Sequence, residues 1–179
     1  MHDTDKASSE GRTTLTPTTP RELATDTLLQ LYKQGLIKTS DAINILAANK
    51  LCDLGPDQLA NCARATSQLV TLIHSLNHQW WHDLQTGEKL VRNDGELLCL
   101  IHSEISEGLE GLRKNLDDTH LPQHKMIGVE MADAVIRIFD YCGGRGIPLA
   151  EIMLQKLGYN LLRQDHKKEA RLAEGGKAF

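Results

Sequence analysis

The sequence predicts an all-α fold, and three observations support this. Apolar residues recur at the spacing of amphipathic helices over most of the chain. Leu, Ile and Ala dominate the apolar residues, whereas aromatic residues make up only 4% of the chain. Long alternations of polar residues with Val, Thr or aromatic residues, which are typical of half-buried strands, are missing. The 179 residues suffice for one domain with a hydrophobic core and an appendage.

The N-terminal third is predicted to hold a tail and a helical extension. Residues 1–20 are rich in Thr, Ser and Pro and almost lack large apolar side chains, so we expect a disordered tail there. Residues 21–60 form the predicted extension. It holds one helix over 21–34, stopped by Gly35, and a second that runs from a cap at Thr39–Asp41 to Asn49.

Residues 61–179 are predicted to form the main domain, which ends in a flexible tail. The helix that leads into it begins at Pro56 and runs to about His78, and residues 80–93 form a loop or short turn. Asp94 is the predicted cap of a strong helix that ends near Lys114. Its buried face is expected to hold Leu97, Leu98, Ile101, Ile105, Leu109 and Leu112.

Two further helices complete the predicted domain. One runs from about His124 to Tyr141 and is stopped by Gly143 and Gly144. The other begins at Pro148 and runs to about Gln164, after which the charged C-terminal stretch is expected to be irregular.

Composition narrows the function classes. A net charge of −4 argues against a general nucleic-acid binder, since binding to the phosphate backbone needs a basic surface. The four cysteines show no C-x-x-C spacing and are interpreted as reduced thiols. No stretch approaches about 18 uninterrupted apolar residues. We therefore expect a cytoplasmic protein with no membrane partner.

Two pairs of acidic residues, each spaced i, i+3, lie within two of the predicted helices. They are Glu104 with Glu107 and Glu130 with Asp133. Residues three apart are neighbours on a helix surface. If packing brought the four acids together, their mutual repulsion would call for a divalent cation. Ligands that are all oxygen suit Mg²⁺ or Mn²⁺ better than zinc.

The position of each pair on its helix leaves two interpretations open. At about 100° per residue, Glu104 borders the apolar face of its helix and Glu107 lies further round. Gly108 and Gly111 remove bulk beside Glu104, which suggests room for a ligand. The simpler alternative is that each pair belongs to a solvated face, where acids are common.

The two pairs and their flanking residues resemble the MazG-like family of all-α nucleoside triphosphate pyrophosphohydrolases. His102–Glu110, followed by Arg113 and Lys114, resembles the first metal-binding helix of the family, and Val129–Arg137 resembles the second. The last predicted helix is similar to the family's last helix at Lys156, Tyr159, Asn160 and Arg163. The likeness runs from about His74 to the C-terminus and does not cover residues 1–60.

The resemblance implies both an architecture and a reaction. The architecture is a four-helix-bundle-like domain, here with an N-terminal extension, whose subunits associate as dimers or tetramers. The reaction is Mg²⁺-dependent hydrolysis of a nucleoside or deoxynucleoside triphosphate to the monophosphate and pyrophosphate, with Mn²⁺ as an alternative ion. The metal-binding acids would be Glu104, Glu107, Glu130 and Asp133. Glu104 and Glu107 are the candidates for accepting the proton of the attacking water.

Cationic and aromatic residues are the candidate substrate contacts. The triphosphate is expected to meet Lys156, Arg163, Arg113 and Lys114, with Asn160 as a hydrogen-bond donor. The alternative interpretation is that these side chains are ordinary polar residues of a helix surface. Trp81 is a candidate for stacking on a nucleobase, with packing in the core as its alternative. His74, His78 and His82 are spaced like metal ligands, but no acid or Cys is placed to complete a zinc site.

Two rival functions differ from nucleotide hydrolysis in the residues that they need or the products that they release. A di-iron carboxylate bundle uses Glu-x-x-His on two helices, and no His lies three residues after any of the four acids. A non-catalytic helical interaction or assembly module would bind no Mg²⁺ and release no pyrophosphate. The preferred base and sugar and the number of metal ions do not follow from the sequence.

Overall fold

Every regular element that the structure describes is helical, and the all-α prediction is confirmed. The computed structural model describes residues 20–48, 53–163, 165, 170 and 172–174. The α-helices of these residues are α1 (Pro20–Lys33), α2 (Thr39–Ala47), α3 (Pro56–Leu76), α4 (Asp94–Lys114), α5 (Met126–Arg145) and α6 (Leu149–Leu162), and a 3₁₀ turn covers His78–Trp80.

Some predicted features fall beyond these residues. The predicted tail lies outside the described residues except for Pro20, and the predicted helix ends Asn49 and Gln164 also lie outside them, as does Cys52. Cys62, Cys99 and Cys142 are free thiols. In the part of the chain that is described, no helix combines the length and the apolar character needed to cross a bilayer.

The start of α4 differs from the prediction in its capping residue. Asn93 is the N-cap, and its side-chain oxygen accepts hydrogen bonds from the amides of Gly95 at 2.8 Å and Glu96 at 3.3 Å. Asp94 instead accepts a hydrogen bond of 2.6 Å from Nε of Arg145. The predicted cap at Asp94 is therefore wrong by one residue, because a long-range ion pair engages its carboxylate.

The end of α5 also differs from the prediction. The helix continues through Gly143 and Gly144 to Arg145, and Gly146 ends it with a φ of 64°. A Cβ at Gly143 would lie 2.5 Å from Cβ of His74, and a Cβ at Gly144 would overlap the ring of Trp81. The two glycines thus serve close packing inside the helix and do not stop it.

The described part of the chain divides into two compact units. Residues 37–161 form one, and the described residues on either side of them form the other. The latter unit contains α1. In the unit of residues 37–161, α2 packs with α3 and α6 around a small core of Leu46, Leu59 and Leu154. Helix α2, predicted as part of the extension, thus belongs to the same unit as α3, α4 and α5.

Helices α4 and α5 pack closely, and α3 packs against α5. Helix α4 buries Glu104, Gly108 and Gly111, which lie on one face at spacings of four and three residues. The expected burial of its apolar face is wrong for the outer part of that face. Exposed fractions are 51% for Leu98, 45% for Ile105, 54% for Leu109 and 60% for Leu112.

Candidate metal centre and adjoining cleft

Three of the four predicted acids converge where α4 and α5 meet. Carboxylate oxygens of Glu104, Glu130 and Asp133 all lie within 4.8 Å of one another. Glu104 is only 6% exposed and Glu130 only 7%, and Asp133 is half-buried. Such a group of oxygen ligands has the composition that Mg²⁺ prefers. It is the one cluster of three or more His, Cys, Asp or Glu able to hold a metal that the described residues form.

Glycines on α4 allow the two helices to bring these acids together. A Cβ at Gly108 would lie 3.2 Å from Cβ of Glu130 and 3.1 Å from Cε of Met131. A Cβ at Gly111 would lie 2.8 Å from Cβ of Met126. The room expected for a ligand beside these glycines is therefore filled by side chains of α5. The glycines contribute to the site by permitting a close approach of the helices.

The acids of the cluster perturb one another. The pKa of Glu130 is raised to about 7, first by burial, then by a hydrogen bond with Glu104, and then by the charges of Glu107, Glu104 and Asp133. Burial and like charges both disfavour the ionised carboxylate. A large part of Glu130 is consequently protonated at neutral pH in the protein without metal.

Glu107, the fourth predicted ligand, lies at the rim of the cluster. Its side chain is exposed, and it is outside the group of acids whose oxygens lie within 4.8 Å of one another. Its charge nevertheless contributes to the raised pKa of Glu130. Glu107 is therefore near the site and open to solvent.

Arg137 is a residue of the site whose role its position in the sequence did not predict. Its Nε donates a hydrogen bond of 2.6 Å to Oε1 of Glu104, and its side chain is 43% exposed. Arg137 lies four residues after Asp133, so the two share a face of α5. That spacing was the available signal, but it does not show that Arg137 reaches Glu104 on another helix.

A cleft of about 710 Å³ adjoins the acids. It lies between the segment after α3 and one end of the α4–α5 pair, and Asp133 and Arg137 belong to its wall. Its apolar wall is formed by Trp80, Leu90, Leu97, Leu100 and Ile136. Its other polar residues are Asn77, Gln79, Arg92, Glu96 and Asp140. A volume of this size is typical of small-molecule sites.

Trp81 does not offer a stacking surface. The side chain is 1% exposed, and its Nε1 donates a hydrogen bond of 2.9 Å to Asp140. Asp140 also lies 2.8 Å from Nδ1 of His74. The packing alternative for Trp81 therefore fits the structure and the stacking prediction does not, because the ring has no open face. Its neighbour Trp80 is 60% exposed and lines the cleft.

The three histidines spaced like metal ligands have different partners. His74 pairs with Asp140, whereas His78 and His82 stack on each other with ring centroids 3.7 Å apart.

The predicted phosphate-binding residues lie outside the wall of the cleft. Lys114 pairs with Glu110 on α4, and Arg113 is exposed in the last turn of the same helix. Nζ of Lys156 lies 4.8 Å from the ring centroid of Tyr159. Asn160 is half-buried, and its Oδ1 has no hydrogen-bond partner among the described residues. Arg163 pairs with Asp165 through Nε at 2.9 Å and Nη2 at 2.5 Å.

Comparisons of the chain with protein-family models, with curated proteins and with solved structures found no match.

Proposed function

We propose that this protein hydrolyses nucleoside or deoxynucleoside triphosphates to the monophosphate and pyrophosphate in a Mg²⁺-dependent reaction. The observation that carries the proposal is the convergence of Glu104, Glu130 and Asp133 at the edge of a cleft of about 710 Å³. The resemblance of both acidic pairs to the MazG-like enzymes supports the same activity. A cytoplasmic location, where nucleotide pools are found, is part of the proposal.

The chemistry of the acids fits a divalent cation. Glu104, Glu130 and Asp133 would hold it, and Glu107 would contribute from the rim. All their donor atoms are oxygens. The pKa of Glu130 is raised first by burial and then by the neighbouring acids, and a bound cation would balance the negative charge of those acids. When bound, Mg²⁺ would neutralise charge on the phosphoryl oxygens and lower the pKa of a water molecule. Mn²⁺ takes the same kind of ligands.

Glu107 is the better of the two proposed proton acceptors. Glu104 is buried and already accepts a hydrogen bond from Arg137, whereas Glu107 is exposed. A water molecule attacking the α-phosphate loses a proton as its bond to phosphorus forms and the bond to the pyrophosphate oxygen breaks. A carboxylate at the rim can accept that proton.

The cleft is the proposed room for the base and sugar. Trp80 offers an exposed ring, and stacking on a ring accepts any base because every base has a π-face. Asn77 and Gln79 supply carboxamides that can both donate to and accept from the edge of a base. Together these residues favour a nucleotide over a smaller phosphate ester.

Pyrophosphate release from a panel of nucleoside and deoxynucleoside triphosphates with Mg²⁺ tests the proposal. We expect Glu107→Gln to lower kcat on the order of 10²-fold or more, since it removes the proton acceptor. Glu110→Gln is the matched control, because Glu110 lies on the same helix and pairs with Lys114 at the surface. Absence of release from every nucleotide by the wild type would contradict the proposal and favour the non-catalytic module.

We also propose that the protein forms a homo-oligomer through α4. Four large apolar side chains of this helix, spaced seven, four and three residues apart, are between 45% and 60% exposed in the single chain. Patches of this kind mark protein interfaces. A second copy presents the same apolar face and can cover it, so a dimer or tetramer is expected.

A further inference from the structure

Arg137 connects the acidic cluster to the cleft. Its Nε bonds to Glu104 inside the cluster, and the same residue forms part of the cleft wall beside Asp133. Glu104 is nearly buried, whereas the side chain of Arg137 is 43% exposed. The Glu104 end of this ion pair is therefore enclosed, and the Arg137 end is accessible to solvent at the cleft wall.

The guanidinium group of Arg137 donates a hydrogen bond to Oε1 of Glu104, an oxygen that a bound metal would also need. An arginine stays protonated at any physiological pH, and its bond to a carboxylate is charge-assisted. A divalent cation bound to the same three acids would repel the guanidinium and compete for Oε1 of Glu104. Filling the metal site thus weakens the bond that holds Arg137.

The cleft offers Arg137 another partner once a nucleotide enters. Arg92 and Arg137 are the cationic side chains in its wall, and Arg92 is engaged with the carbonyl of Trp80. Guanidinium groups bind phosphate through two parallel hydrogen bonds. The predicted phosphate contacts Lys156, Arg113 and Lys114 are not in this wall, so the triphosphate needs another cation beside the acids.

We propose that Arg137 holds Glu104 in place in the protein without metal and transfers to the phosphate oxygens of the nucleotide when metal and nucleotide bind. The inference rests on the proposed function, because it takes the acids as metal ligands and a triphosphate as the ligand of the cleft. Arg137 is then a substrate-binding residue that competes with the metal in the resting state.

The test measures two affinities that this role moves in opposite directions. Mn²⁺ binding without nucleotide is followed by electron paramagnetic resonance, and binding of a non-hydrolysable triphosphate analogue at saturating Mg²⁺ is followed by calorimetry. For Arg137→Ala, we expect Mn²⁺ to bind roughly threefold tighter or more, because a competing positive charge is removed. We expect the analogue to bind about tenfold weaker or more, because a charge-assisted phosphate contact is lost.

Two further variants complete the design. Arg137→Lys keeps the charge but loses the planar fork. We therefore expect this variant to bind Mn²⁺ with an affinity close to that of the wild type and to bind the analogue more weakly. If Arg137→Ala does not fold, Arg137→Lys alone tests the role of Arg137. Arg64→Ala on α3 is the control, since Arg64 is exposed and bonds to Asn61.

The outcomes separate the inference from the proposed function. Wild-type protein that binds no Mn²⁺ would defeat the proposed function and the inference together. Wild type that binds Mn²⁺ and hydrolyses nucleotides, with both affinities unchanged or both reduced in Arg137→Ala, would overturn the inference alone.

Discussion

At the scale of single residues, burial of like charges determines the properties of the site. Glu130 has a pKa of about 7 in the folded protein, against an ordinary value of 4.5. Between these values the folded state binds more protons at Glu130 than the unfolded state. The contribution of this residue to the free energy of unfolding therefore falls as the pH rises from 4.5 to about 7.

The variant Glu130→Gln removes this titration and tests its sign. In EDTA, the Tm of Glu130→Gln minus that of the wild type should increase between pH 5 and pH 8, because only the wild type acquires a buried charge over this range. Thermal melts at half-unit pH steps measure the difference. Parallel curves for the two proteins would show that Glu130 titrates in the ordinary range.

Trp80 provides a second prediction for a single side chain. Its exposed ring in the cleft wall is the proposed stacking surface for the base. Trp80→Leu should weaken binding of a nucleotide analogue on the order of tenfold, since stacking contributes about 1–3 kcal/mol per base. Calorimetry measures the affinity, and Leu84→Ala is the control because Leu84 is an exposed loop residue outside the cleft wall.

The sequence predicted part of the site at this scale and missed part. Spacing alone left a solvated face open for both acidic pairs, and the resemblance implied that four acids converge. The structure brings Glu104, Glu130 and Asp133 together and leaves Glu107 exposed at the rim. Arg137 and Trp80 were missed for a physical reason. Helical spacing shows which residues share a face, but it does not show which side chain of another element they contact.

At the scale of elements, glycines set the distance between helices. Gly111 faces Met126 across the α4–α5 contact, and Gly144 faces the buried ring of Trp81. Gly144→Ala should lower the free energy of unfolding by about 2 kcal/mol or more, because the rigid ring cannot move away. Gly111→Ala should also lower it, by about 1 kcal/mol or more, because Cβ of Met126, which is fixed to the backbone of α5, would lie 2.8 Å from the new methyl group.

Urea denaturation of these variants includes a control within α5. Gly128 is exposed, and a Cβ there would have nothing within 4 Å. Gly128→Ala should leave stability unchanged or raise it by up to about 1 kcal/mol, because alanine favours the helix. Equal stability losses at Gly128 and Gly144 would show that helix propensity, and not the close approach, determines the effect.

The prediction of the elements succeeded where local signals dominate. Pro56 begins α3 and Lys114 ends α4 as expected. The predicted cap at Asp94 was wrong because Arg145, which is distant in sequence, binds its carboxylate. The predicted stop at Gly143 and Gly144 was wrong because the side chains of His74 and Trp81 pack against these glycines. At these positions a tertiary contact, and not the local sequence signal, determines the role of the residue.

At the scale of the whole molecule, the apolar stripe of α4, formed by Leu98, Ile105, Leu109 and Leu112, is exposed in the single chain. Periodicity predicted an apolar face correctly, but it could not show whether the same chain or a second one covers it. Within the chain, α4 meets α5 through Glu104, Gly108 and Gly111, so Leu98, Ile105, Leu109 and Leu112 stay exposed. Burial of such side chains stabilises an interface.

Leu109→Lys tests whether a second copy covers this stripe. Leu109 is 54% exposed and lies between the other members of the stripe, so a charge there would be buried and unpaired in an oligomer. We expect the wild type to be a dimer or tetramer and the variant to be a monomer at micromolar concentration, as measured by size-exclusion chromatography with light scattering. Leu84→Lys, at a position that is 82% exposed in a loop, should keep the oligomer. A wild-type monomer, or an oligomer that persists in Leu109→Lys, would show that this face does not join two copies.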